Sequence, residues 1–389
     1  MLSGRDIIIF SDDWGRLPST LQHITKELLR ENRIFWIGSL GLRKPNFNLK
    51  DFNRAVKKLV NIFTKKVINE NPDKKSPIQL HPFVIPFHNY KLIRYFNKKS
   101  LKKKLFQAIK LHKIVSPVLL ASSPLISDII GEIGENSSHY FCLDDYSKLE
   151  GTFEELVDFE QELLQKVDTS FSVSDLLMNS RIPLSGKTYF LPQGVNCDHF
   201  RKRVDQIPDE IKNIPTPAIG FFGFISEWIN LTVIEKCLST YPNYSFVFIG
   251  KSLRNLDSLK QFQNFFYLGE IKYSILPNYA SLFDLGLIPF EVNELTIASN
   301  PLKLLEYMSM GIPVLSSDLP EVRKFKDLVF IAKDDNEFVE LIKRSIEDNL
   351  PERNRKRIEK AQEFSWKSIA ERISAIIKKT ELEKKNISQ

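Results

Sequence analysis

Lys303 and Glu306 stand three residues apart, a spacing that puts both side chains on one face of a helix. The surrounding run, Ser299-Asn300-Pro301-Leu302-Lys303-Leu304-Leu305-Glu306-Tyr307-Met308-Ser309-Met310-Gly311-Ile312-Pro313-Val314, has the punctuation of a helix at both ends. Asn300 suits the N-cap, Pro301 the first helical position and Gly311 the C-terminal cap. A helix N-terminus offers free N–H groups and a positive dipole end to an anion. A lysine in that first turn is unfavourable on its own, and a bound diphosphate explains it. Glu306 is then placed to accept hydrogen bonds from ribose hydroxyls. The alternative is an ordinary surface ion pair, which is the better account of either residue alone. The bounded helix favours the anion site.

A second cluster, Ser11-Asp12-Asp13-Trp14-Gly15-Arg16, follows an apolar run and precedes a helix beginning near Ser19. Asp12 or Asp13 there has the chemistry of a general base for a hydroxyl, although turn-forming or capping is the commoner role for each. Arg16 could hold an anionic acceptor, or be a surface arginine. The six histidines, His23, His81, His88, His112, His139 and His199, show no HxxxH or HxH spacing. Cys142, Cys197 and Cys237 show no CxxC. Neither a metal site nor a disulfide framework is expected.

These groups need elements to position them. Apolar runs alternate with helical patterns almost from end to end. Ile7–Phe10, Ile34–Ile37, Phe83–Ile85, Val118–Ala121, Tyr140–Leu143, Thr169–Ser172 and Tyr189–Leu191 read as strands in the first half. Ala218–Phe222, Ser245–Ile249, Phe265–Leu268, Leu285–Ile288, Val314–Ser316 and Leu328–Ile331 do so in the second. Strands apolar throughout and separated by helices predict parallel sheets covered on both faces, the doubly wound α/β class, here twice. A polar, proline-bearing stretch at Val204–Pro217 divides them. The expected domains are 1–204 and 205–365, followed by a helix at 366–389 with Ile369, Ile373, Ile376 and Ile377 on its apolar side.

The chain has 389 residues, of which 42% are hydrophobic and 26% charged, which excludes a disordered protein and favours two domains. No apolar run approaches bilayer-spanning length. The N-terminus runs straight into Ile7–Phe10, so no signal peptide is expected and the protein reads as cytoplasmic. The net charge of +7 favours an anionic partner without naming it. Much of it lies in Lys91–Lys113, where Lys98, Lys99, Lys102, Lys103 and Lys104 alternate with Leu92, Tyr95, Phe96, Leu101, Leu105 and Phe106. Such a helix either lies on an anionic membrane surface or packs in the core with a solvated lysine face.

The motif Asn-Pro-x-Lys-x-x-Glu-Tyr-x-x-x-Gly-x-Pro-Val at 300–314 resembles the donor-binding signature of GT-B glycosyltransferases, in the broad family 4 group. More narrowly it is similar to a bacterial branch concerned with teichuronic acid synthesis. Ile219–Trp228, Phe246–Gly250, Leu268–Ile271, Leu276–Tyr279 and Phe283–Phe290 match in order. Asp144-Asp145-Tyr146, Glu160, Asp168, Ser172 and Leu191–Asn196 are similar landmarks in the first half.

The resemblance implies two Rossmann-like domains facing across a cleft. It further implies a hexosyltransferase-type enzyme that moves a sugar from a nucleoside-diphosphate sugar to a saccharide or lipid-linked saccharide. Retention of configuration, no metal, and a place in bacterial surface-polysaccharide synthesis at the inner face of the plasma membrane are part of the same expectation. By position, Gly223 would let the phosphates approach and backbone around Ile271 and Lys272 would read the base. Asn300, Pro301 and Lys303 would form the anion site, and Glu306 would hold the ribose. Two departures stand out. Ala298 occupies the place of a family glutamate that contacts the donor sugar. The loop Phe224–Asn230 lacks the family's Arg and Lys, leaving Lys303 to carry the phosphate charge with Lys251 or Arg254. Three other readings stay open: a GT-B-type sugar-nucleotide epimerase, a transferase that has lost turnover, and a nucleic-acid-binding protein. The last lacks an RNP-like strand or helix-turn-helix, so no nucleic acid partner is expected.

Overall fold

The computed structural model describes residues 1–15, 19–41, 76–148, 155–185, 187–201 and 207–387. By contacts the chain divides into two compact units, Met1–Pro192 with Trp366–Gln389, and Gln193–Ser365. The division expected at Val204–Asp205 lies outside the described residues. Val195, Cys197 and Phe200 already pack into the second unit's core, which is why that unit begins before them.

The first unit holds strands β1 (Asp6–Phe10), β2 (Arg33–Ile37), β3 (Ile78–Leu80), β4 (Val118–Ala121), β5 (Ser137–Cys142), β6 (Thr169–Ser172) and β7 (Thr188–Phe190). They form one sheet in the order β3-β2-β1-β4-β5-β6-β7. Every pairing is parallel. β4 and β5 are buried along their whole length, as strands covered on both faces must be.

Two expectations fail here for physical reasons. Phe83–Ile85 is not a strand; Ile78–Leu80 takes the edge beside β2 instead. Pro82 and Pro86 flank the expected run and lack N–H donors. Ile85 is satisfied by a side chain: its N–H donates to Asn97 Oδ1 at 2.9 Å, and Asn97 Nδ2 donates back to its carbonyl at 2.8 Å. β5 starts earlier than its apolar residues, because Ser137-Ser138-His139 are buried and paired. His139 Nδ1 lies 2.6 Å from Thr169 Oγ1 and Nε2 lies 2.9 Å from Ser137 Oγ. Burial pushes the His139 imidazole down to about 3, so it sits in the sheet as a neutral group.

The helix Trp366–Ile387 belongs to this unit. Ile369, Ile373 and Ile377 are buried, and Glu381 pairs with Arg5, while Lys384 reaches Asp168 at 2.9 Å.

The second unit holds β8 (Ala218–Phe222), β9 (Ser245–Ile249), β10 (Phe265–Gly269), β11 (Leu285–Ile288), β12 (Val314–Ser317) and β13 (Phe330–Ala332). The sheet is parallel throughout, in the order β10-β9-β8-β11-β12-β13. The order reverses between β8 and β11. Loops leaving the carboxyl ends of these two strands flank the crevice where doubly wound sheets bind ligands.

Candidate functional site

The helix Leu302–Met310 follows β11 after a short turn of helix at Glu294–Ile297. Its C-terminus is closed by Gly311 in the left-handed region at φ 80°, with the N–H on Met308 and Tyr307 carbonyls. Its N-terminus differs from expectation. Pro301, in extended backbone, is the capping residue, and among the described residues no side chain caps the first turn. Asn300 instead donates to Glu321 Oε2 at 3.4 Å, because Glu321 is buried and recruits donors. The first turn is therefore left open to an external anion.

Lys303 and Glu306 meet on one face, Nζ to Oε2, at 3.1 Å. Glu306 is 8% exposed, and among the described residues Lys303 is the one hydrogen-bond partner of its carboxylate. Burial raises the Glu306 carboxyl, with Lys303 opposing. The Lys303 ammonium also sits 5.5 Å from the centroid of the Phe222 ring. Beside it the chain leaves β8 through Gly223 at φ 146°, where a Cβ would lie 2.7 Å from Lys303 Cε. Gly250, leaving β9 at φ 136°, would drive a Cβ to 1.8 Å from the Gly223 carbonyl oxygen. Only glycine fits at both places. Together they keep the ends of β8 and β9 free of side chains next to a lysine.

The rest of the site is built around this point. Tyr307 packs its ring where Gly286 has no Cβ, and its hydroxyl accepts the Phe222 N–H at 3.2 Å. Tyr273 is raised above the ordinary phenol range by burial and then by the charge of Glu306. His199 stacks on it at 4.3 Å and approaches its carbonyl through Nε2 at 2.8 Å. Tyr273 opens the turn just after Ile271 and Lys272, so this stack fixes the segment expected to read a base. Ile271 keeps its N–H and C=O outside the hydrogen bonds of the described residues. Tyr273 and His199 carry no local sequence signal, since residues 74 apart make their contact. Lys251 is exposed, and its carbonyl accepts the Ile225 N–H at 3.0 Å. Arg254 pairs with Glu227 at 3.2 Å.

The first unit places its candidates differently. Asp12 Oδ1 accepts Ser11 Oγ at 2.9 Å and Ser19 Oγ at 2.8 Å, and Oδ2 accepts Gln22 Nε2 at 2.8 Å. That is the behaviour of a turn-forming aspartate. Asp13, exposed, accepts the Ser39 N–H at 3.0 Å. Arg16 lies outside the described residues. His88 is buried, with Nε2 2.8 Å from the Leu40 carbonyl. Glu160, Arg181, Tyr140, Cys142 and Asp145 form a bonded network. Among the described residues, no group of three or more His, Cys, Asp or Glu side chains is arranged to hold a metal.

The helix Lys91–His112 buries Asn97, Leu101, Leu105 and Ala108. Lys98 and Lys102 flank that stripe and pair with Glu132 at 2.8 and 2.5 Å. The opposite face carries Leu92, Tyr95, Phe96 and Phe106, all exposed, among Lys99, Lys103 and Lys110. No helix among the described residues is long and apolar enough to cross a membrane.

Over nearly its whole length the chain superposes on solved proteins that hold UDP or a UDP-sugar analogue. HepE of Anabaena, solved with UDP, matches with a TM-score of 0.63 at 14% identity, covering 96% of this chain and 100% of that one. An Escherichia coli trehalose-6-phosphate protein bound with UDP-2-fluoro glucose gives 0.65 at 11% identity, covering 97% and 99%.

The chain has the fold of the GT-B glycosyltransferases.

Within that GT-B fold, residues 217–348 match the family described as glycosyl transferases group 1. That stretch carries β8 to β13 and the helix with Lys303 and Glu306. The chain is also related to the putative teichuronic acid biosynthesis glycosyltransferase TuaH of Bacillus subtilis, at 25% identity over 177 residues. The match spans 43% of this chain and 44% of that relative's length.

Proposed function

We propose that the protein transfers a glycosyl group from a nucleoside-diphosphate sugar to an acceptor hydroxyl. The observation that carries this is the Lys303–Glu306 pair at an uncapped helix N-terminus, beside the side-chain-free Gly223 and Gly250. As the glycosidic bond breaks, negative charge builds on the departing diphosphate. Lys303 Nζ and the first-turn N–H groups are fixed before the reaction begins, so they stabilise that charge with little reorganisation. Glu306, with Lys303 as its one partner among the described residues, offers the ribose hydroxyls a buried acceptor. The open backbone of Ile271, held by the Tyr273–His199 stack, is the part of the site suited to a base edge.

The UDP and UDP-2-fluoro glucose of the solved relatives make UDP the first nucleotide to try. The likeness to TuaH points to a cell-surface polysaccharide or its lipid-linked precursor as acceptor. The reaction proposed is metal-independent and retaining, as the resemblance to GT-B glycosyltransferases implies; Asp12, with both oxygens on local donors, is a poor candidate for an inverting enzyme's base. The test is release of UDP from a panel of UDP-sugars in excess chelator, with product analysis. Loss of all turnover in chelator overturns the metal-free step. Conversion of the donor without an acceptor identifies an epimerase instead.

The solvent face of Lys91–His112 favours a second element of this reading: cytoplasmic action at an anionic membrane surface. Leu92 is 84% exposed in the first turn of that helix, and the lysines beside it lie where headgroups would be. Co-sedimentation with vesicles containing anionic lipid at low salt is expected, and it should weaken in a Leu92→Ser/Phe96→Ser/Phe106→Ser variant. Equal recovery of the wild type in the supernatant with and without vesicles contradicts it.

A further inference from the structure

The loop leaving β8 carries a feature that the diphosphate site does not use. Ile225 and Ile229 are fully buried. The segment is stapled to its neighbours on both sides. Leu253 N–H donates to the Ile225 carbonyl at 2.9 Å, Asn230 N–H to Pro289 at 2.8 Å, and Glu291 N–H to Trp228 at 2.9 Å. This loop is a rigid support, yet it turns large aromatic surface outward. Phe224 is 40% exposed and Trp228 half-buried, their rings 5.9 Å apart and inclined at 39°. Glu227, which lies between them in the chain, pairs with Arg254 at 3.2 Å. Exposed apolar surface on a rigid support with a polar rim is the make-up of a ligand platform.

Position says what such a platform would hold. Phe224 directly follows Gly223, whose missing Cβ leaves room for Lys303 Cε. Consecutive Cα atoms are about 3.8 Å apart, so Phe224 starts within a sugar ring's reach of the cation assigned to the diphosphate. A pyranose has a face of C–H groups and a rim of hydroxyls. Aromatic rings cover the first; a carboxylate and a guanidinium serve the second.

We propose that Phe224 and Trp228, with Glu227 and Arg254 at their edge, form a stacking platform for the apolar face of a pyranose. The inference rests on the donor-site reading above. The ring would belong either to the donor or to the acceptor, and titrations separate the two. The full-length protein, Phe224→Ala, and Phe224→Ala/Trp228→Ala are titrated with UDP and with UDP-glucose, UDP-galactose and UDP-N-acetylglucosamine. UDP-saturated protein is then titrated with the matching methyl glycosides.

UDP affinity should stay within about twofold of wild type in both variants, because neither Phe224 nor Trp228 carries a cation for the phosphates and both variants keep Lys303, Lys251 and Arg254. A donor ring predicts a loss of about tenfold or more in affinity for the preferred UDP-sugar. An acceptor ring leaves UDP-sugar affinity unchanged and abolishes methyl glycoside binding. Trp228→Phe retains the stacking surface and should keep most of the affinity. If UDP binds normally and neither variant changes any sugar titration, the platform is wrong and the donor site stands. If the wild type binds neither UDP nor the UDP-sugars, the donor reading fails and the platform falls with it.

Discussion

Each unit holds a buried acid paired with a base: Glu160 with Arg181 in the first, Glu306 with Lys303 in the second. They look alike in a list of ion pairs and differ in everything around them. Glu160 accepts from Arg181 at 3.0 Å, from Tyr140 at 2.8 Å and from the Cys142 thiol at 3.4 Å. Arg181 in turn reaches Ser180 and Asp145. Both partners are consumed by the fold. Glu306 has Lys303 alone among the described residues, and Lys303 looks onto a glycine turn and an aromatic ring. A saturated pair is scaffold; a pair with spare valence beside a cleared backbone is a candidate site.

The sharpest way to break this contrast is to remove one base from each pair. Arg181→Ala should destabilise the first unit by about 3–5 kcal/mol in denaturant unfolding, since it strands a buried carboxylate. Lys303→Ala should leave stability within about 1 kcal/mol, because Glu306, its carboxyl already raised, can take up a proton. Its cost falls on turnover, where loss of one fixed charge on the leaving group predicts roughly 10²–10³ in kcat. Similar stability losses in both variants would erase the distinction.

Acid sharpens it further. His139 has a folded-state value of about 3, below its unfolded value. Its neutral form is favoured by folding, so the stability it allows is complete above about pH 6.5 and is lost as pH falls toward 3. At pH 5 the loss is on the order of 2 kcal/mol, and His139→Gln should flatten that slope. A smaller effect is expected at Gly223. Gly223→Ala places a methyl against Lys303 at a φ that side chains rarely adopt. It should weaken nucleotide binding about tenfold, or about 1.4 kcal/mol, with the fold retained.

What could be read from the chain follows the same division between local and distant causes. Lys303, Glu306 and Gly311 were legible because helix spacing and a left-handed cap are set within one segment. Both sheets were legible because strands buried on two faces are apolar throughout. The third strand was misplaced because Asn97, on another element, supplies Ile85 with the bonds a ladder would have given. The early start of β5 was hidden because Ser137, Ser138 and His139 look like a loop until β4, Asp168 and Thr169 pair with them. Asn300 has the composition of a cap, but Glu321 claims it. Tyr273 and His199 belong to the site only through tertiary packing, so no spacing announces them.

In the proposed reaction, Lys303 and the open helix end bind a nucleoside diphosphate without a metal. Thermal unfolding with UDP and with GDP, ADP and CMP, in chelator, on wild type and Lys303→Ala, tests it most directly, because a ligand of the native state must raise its apparent stability. UDP should raise the midpoint of the wild type in chelator, and Lys303→Ala should lose the shift while keeping its own midpoint. No shift with any nucleotide at millimolar concentration, or an equal shift in Lys303→Ala, would contradict it.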